Sequence, residues 1–194
     1  MSKIKLLLLS VVAVCILFII IVSLPTLVLY LSIKVSPSPP EPEIKQGEFP
    51  FSLTYSINGS TVVVEDTLLC QYSGIKFDTS VGKYRSWTSR LLSGNEYIIM
   101  YKTQGIPESS SWSGGEDSEK FYTIIYFDPG NAGYYMGDRK SQDSSFPNAR
   151  FVSTEEGESR IIGNVKADDL LQNYGIKLIK WEASPPIINK FVEN

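Results

Sequence analysis

The pattern of apolar and polar positions divides the chain into two unlike parts. From Leu6 to Ile33 run 28 uncharged residues, mostly Leu, Ile, Val and Phe. As a helix this stretch would extend about 42 Å, more than the roughly 30 Å hydrocarbon core of a bilayer, so it predicts a tilted transmembrane helix. Pro25 interrupts the run, which a membrane helix tolerates when nearby groups take up the freed carbonyl. Beyond it the periodicity changes to two. Phe51-Ser-Leu-Thr-Tyr-Ser-Ile57 alternates strictly, Asn58-Gly59 follows, and residues 60–70 return as a second β-rich run. Alternation on both sides of Asn-Gly predicts a hairpin closed by a two-residue type I′ turn. In that register Ile57 faces Ser60, Tyr55 faces Val62, Leu53 faces Val64 and Phe51 faces Asp66, which puts Asp66 on the apolar face.

Five further short segments rich in aromatic and β-branched residues predict strands: 96–101, 121–127, 150–153, 160–162 and 176–181. Residues 104–120, rich in Ser and Gly, read as a long loop, and 128–147 as another. One helix is expected before Gly175, with Asn164 as its cap, Asp168 and Asp169 in its first turns and Leu170, Leu171 and Tyr174 on its apolar side. After the last strand the chain is expected to stop in Ser184-Pro185-Pro186. The fold class this predicts is mainly β: an antiparallel sandwich or open barrel with one short helix near the C-terminus, preceded by one transmembrane helix. The expected divisions are a cytoplasmic N-terminus at 1–5, an anchor at 6–33, a Pro-rich linker at 34–47 and an extracytoplasmic domain at 48–194. Four prolines between Ser36 and Glu43 give the linker the composition of an extended polyproline spacer.

Charge sets the expected topology. Lys3 and Lys5 precede the apolar run and only Lys34 follows it, so the positive-inside rule puts the N-terminus in the cytoplasm and the domain outside the cell membrane. A cleaved signal peptide would have a shorter apolar core and small residues at its end, neither of which is present. A lipoprotein site at Cys15 is a poor match, because Val14 precedes the cysteine where a small residue is normally required and the apolar run continues long after it. Of the net charge of −3, residues 44–194 carry 15 basic and 19 acidic side chains. A mildly acidic domain lacks the basic stripe that phosphate backbones require, so no nucleic-acid partner is expected.

The chain has no histidine. That removes the usual base of serine, cysteine and threonine nucleophiles and the commonest metal ligand. With Cys15 in the apolar run and Cys70 alone in the domain, thiolate metal sites and dithiol pairs are removed too. No metal or cofactor is expected. Carboxylate chemistry is what remains, with Glu65, Asp66, Asp128, Asp138 and Glu182 available and Asp66 and Asp138 as the candidate catalytic pair for a polysaccharide hydrolase. Asp66 also reads as a turn or loop anchor. Asp128, Asn131 and Asp138 are oxygen donors among glycines, but they lack the dense acidic spacing of an EF-hand loop. Three Trp and ten Tyr lie outside the membrane segment. Trp112, Tyr134 and Tyr135 sit in loop sequence and are the candidate binding residues, as exposed platforms for a sugar ring or a partner protein.

The run from Tyr174 to Phe191, with Glu65-Asp-Thr-Leu-Leu-Cys-Gln-Tyr72 and Tyr134-Tyr-Met-Gly-Asp138, resembles a group of uncharacterised membrane-anchored or exported proteins of Gram-positive bacteria. The resemblance covers most of residues 48–191 and implies a bacterial surface location. It implies no activity and no site residues. The leading expectation is therefore a surface binding module for a protein or cell-wall glycan. The alternatives are a carboxylate-dependent wall hydrolase and an accessory subunit of a membrane system.

Overall fold

The computed structural model describes residues 3–106, 121–139, 144–155 and 160–192. By internal contacts the chain forms two units, one of residues 1–40 with 74–85 and one of residues 41–73 with 86–192.

The first unit is dominated by helix α1, Lys3–Val35. Within it, Val12–Val35 is long and apolar enough to cross a membrane. It has no polar face, as a helix solvated by lipid requires. Pro25 leaves the carbonyl four residues earlier without a donor. Around it, Ser23 Oγ donates to Ile19 O and Thr26 Oγ1 to Ser23 O, each at 2.7 Å, so these hydroxyls would present no unsatisfied donor to a bilayer.

The second unit holds most of the β structure. The strands are β1 (Glu41–Pro42), β2 (Gln46–Ile57), β3 (Ser60–Asp78), β4 (Gly82–Leu91), β5 (Ile98–Gln104), β6 (Phe121–Phe127), β7 (Ala149–Glu155), β8 (Arg160–Val165), β9 (Ile176–Ala183) and β10 (Phe191–Val192). They form one four-stranded sheet in the order β4-β3-β2-β9, another in the order β5-β6-β7-β8, and the small pair β1-β10. Helix α2 is Ala132–Tyr135 and α3 is Ala167–Tyr174. Both large sheets feed one core: Phe49, Leu53 and Leu68 meet Ile125, Phe127 and Phe151, with Tyr135 and Leu170 closing it. The antiparallel sandwich is thus present.

The β2-β3 hairpin has the register expected from alternation, including Phe51 opposite Asp66. Asn58 and Gly59 take positive φ of 49° and 82°, as its turn requires. Strand β6 covers the segment expected. The strand placed at 96–101 starts later, at Ile98, and carries an irregularity between Ile99 and Tyr101. Strand β4 was not anticipated. Its residues are mostly polar because it is an edge strand, and only Ser86 and Leu91 are buried.

Two expectations about helix and linker are corrected. Asn164 belongs to β8 and does not cap α3; its N-cap residue is Lys166, and the amide of Ala167 is bound instead by Asn148 Oδ1 at 3.1 Å. A side chain from another segment does the work of the local cap. Gly175 ends α3 in the left-handed region, at φ 64°, as expected. The stretch 34–47 is not a free spacer throughout. Glu41 and Pro42 pair with Val192 and Phe191, and Asn189 exchanges bonds with Ile44 N at 3.0 Å and Ile44 O at 2.8 Å. The chain accordingly continues past Ser184-Pro185-Pro186. Ile187 N donates to Tyr135 O at 2.9 Å, and a Cβ on Gly137 would overlap the Ile187 carbonyl.

Candidate functional site

Asp66 lies at the end of the apolar alternation of β2-β3, and its carboxylate is fully engaged. It accepts from Thr67 N at 2.7 Å, Ser93 N at 3.2 Å and Ser93 Oγ at 2.5 Å. Burial pushes its pKa up, but the hydrogen bonds from Ser93, Thr67 and Leu92 together outweigh that and hold it below its ordinary value. A general acid needs the opposite shift. The geometry is that of a loop anchor which ties the turn after β4 to β3.

Asp138 follows α2 and accepts from the Trp87 indole Nε1 at 2.7 Å. The Trp87 ring packs on Tyr72 at 5.3 Å. Tyr72 lies six residues along β3 from Asp66, which corresponds to about 20 Å of strand. Asp66 lines an open cleft of about 630 Å³ with Glu65 and Glu182, and Asp138 is not in its lining. The structure does not bring Asp66 and Asp138 together. Glu65 and Glu182 do share a row, since each pairs with Ser52 on β2. Both are exposed, and Glu182 is ion-paired to Lys180 at 2.8 Å.

The oxygen donors of 128–138 separate in the same way. Asp128 Oδ2 binds Arg150 Nη1 at 2.7 Å and its Oδ1 accepts from Gly130 N, while Asn131 Oδ1 accepts from Gly133 N to cap α2. Each of the three residues is committed to a different protein partner. The Asp128-Arg150 pair also lines two adjoining hollows, one of about 240 Å³ with Glu96, Tyr97 and Tyr126 and one of about 320 Å³ with Ser144, Asn148 and Asn164.

Of the aromatic candidates, Trp112 lies outside the described residues. Tyr135 is a core residue, 1 % exposed, whose hydroxyl donates to Pro129 O at 2.7 Å. It offers no face for stacking. Tyr134 is half-buried and packs edge-on against Tyr135 at 5.2 Å. The four-residue helix α2 produces this packing, and nothing in the loop-like sequence of that segment announced it.

A different surface emerges on the second sheet. Along β6, Ile125 and Phe127 enter the shared core, so by the pleat Tyr122 and Ile124 point the other way. Ile124 pairs with Val152 and Val152 with Ile162, giving a three-strand apolar row outside the core. Tyr122, 46 % exposed, and Ile162, 53 % exposed, border it, while Val152 at its centre is buried. Thr154, exposed and two residues along β7 from Val152 on the same side, continues the face with a polar residue. The sequence signal for this face was the aromatic and aliphatic character of 121–127, interrupted only by Thr123, where alternation alone would have made every second residue polar.

No family model matches the chain, and no curated protein and no solved structure matches it.

Proposed function

We propose that this protein is a membrane-anchored binding module, held by α1 and presenting the outer face of the β5-β8 sheet to a partner protein. The excess of lysine before the anchor supports an orientation with this face outside the cell. The observation that carries the reading is the row Ile124, Val152, Ile162 with Tyr122 beside it, an apolar row across three adjacent strands that lies outside the shared core of the described residues, buried at Val152 and exposed at Tyr122 and Ile162. A sheet buried on one side ordinarily alternates to polar residues on the other. Contiguous apolar surface with an aromatic residue and a polar border is the composition of an interface centre. The hydrolase alternative loses support because Asp66 and Asp138 each serve a separate structural bond.

The test is photo-crosslinking in the producing cells, with a benzophenone amino acid at Tyr122 and, as a comparison, at Ile188. Discrete adducts are expected at Tyr122 and should vanish when Ile162→Glu places a charge in the row. Absence of adducts at Tyr122, or adducts that Ile162→Glu leaves unchanged, would overturn this assignment.

A further inference from the structure

We propose that the turn of the β3-β4 hairpin is a second membrane contact, resting in the headgroup layer of the bilayer that holds α1. The proposal rests on α1 being inserted. Within the first unit, Lys83 Nζ donates to Ser36 O at 2.8 Å and Arg85 Nη1 to Pro40 O at 3.1 Å. Gly82 lies against the same point, since a Cβ there would sit 3.5 Å from Ser36 Oγ. Going from Arg85 to Lys83 toward the turn is therefore going from Pro40 to Ser36 toward the end of α1. Ser36 is the residue next to Val35, where the helix ends. The turn at 79–81 is thereby set level with the last residues of the helix, which in a spanning helix is the membrane interface.

The composition of the hairpin end fits that position. Val81 is 70 % exposed and Ile75 39 % exposed, with Phe77 half-buried two residues from Ile75 on the same side of the strand. Apolar side chains at a turn are unfavourable in water and favourable at the acyl boundary. Lys76, Lys83 and Arg85 outnumber Asp78 over residues 74–85, the balance that anionic headgroups attract. Tyr84 in the hairpin and Tyr30 in the last turns of α1 are residues of the kind enriched at this depth. The turn is also preformed: Asp78 Oδ1 accepts from Ser80 N at 2.8 Å and from Ser80 Oγ, and Gly82 takes φ 77°. Little ordering entropy would then oppose the contact.

The experiment uses the full chain with Cys15→Ala, reconstituted in vesicles of phosphatidylcholine and phosphatidylglycerol. An environment-sensitive NBD label is placed singly through Val81→Cys, Leu24→Cys and Ser60→Cys, the last at the other end of β3. Lipids spin-labelled at the headgroup or at mid-chain serve as quenchers. Expected are loss of Leu24 emission to the mid-chain quencher, loss and blue shift of Val81 emission with the headgroup quencher, and neither effect at Ser60. Quenching at Leu24 with Val81 behaving like Ser60 overturns the hairpin contact and leaves the anchor standing. Quenching at neither Leu24 nor Val81 overturns the anchor and the contact together. Equal quenching at Ser60 and Val81 overturns the assignment to the hairpin end. The vesicles contain no other protein, so any quenching at Val81 reports lipid.

Discussion

Gly163 faces Phe151 across the β7-β8 pair, and the Phe151 ring, 1 % exposed, lies over it. A Cβ built on Gly163 would sit 2.7 Å from Phe151 Cζ and closer still to Cε1, well inside van der Waals contact. Gly163→Ala sets two effects against each other. Removing a glycine from a strand interior gains roughly 0.5–1 kcal/mol by restricting the unfolded chain. Forcing a packed ring to move costs about 1–3 kcal/mol, and here the ring is walled in by the shared core. The clash wins by about 1–2 kcal/mol, which for a domain of this size lowers Tm by roughly 2–8 °C. Thermal unfolding of the full chain in detergent micelles, followed by tryptophan fluorescence, measures it. Phe151→Leu alone should destabilise by creating space, and the double variant should be less destabilised than the sum of the two, because the methyl fills part of what the ring vacated. An unchanged or raised Tm for Gly163→Ala, or simple additivity in the double variant, would refute the close approach of ring and strand.

Asp66→Asn removes the ionised acceptor of the Ser93 and Thr67 bonds and should cost on the order of 1 kcal/mol at neutral pH, discounted for the partial exposure of the site. Because the folded pKa of Asp66 lies below its ordinary value, its contribution is present above the unfolded pKa of about 3.9 and is lost as pH falls through the folded value. The Tm gap between wild type and Asp66→Asn should therefore close in strong acid; a gap independent of pH would show that the carboxylate charge is not what the turn uses. Cys70 is 2 % exposed, and burial pushes its thiol up to about 12. In the Cys15→Ala background it should resist a maleimide until the domain unfolds, and fast labelling of the native state would place Cys70 outside the core.

The legible features were those whose cause is local. An uncharged run of membrane length forms α1 whatever follows it, because no solvent-exposed fold could satisfy so much apolar surface. Asn58-Gly59 closes a hairpin because those two residues tolerate positive φ, and the alternation beside it leaves only one register that buries Phe51, Leu53 and Tyr55 together. Asp66 was legible as an anomaly on an apolar face, although only the structure shows that the answer is Ser93, twenty-seven residues later.

What the amino-acid order determined by itself was therefore the long apolar helix, the β class, the first hairpin and the helix end at Gly175. Tertiary structure decided the rest. Asn148 replaced Asn164 at the helix start, Trp87 on an unforeseen edge strand claimed Asp138, and a four-residue helix took Tyr135 into the core. The apolar row of the second sheet and the hairpin end beside Ser36 likewise exist only once strands are paired. The reason is physical: a propensity or a turn signal acts over a few neighbouring residues, whereas a buried polar atom accepts whichever partner the packed chain brings within hydrogen-bond reach.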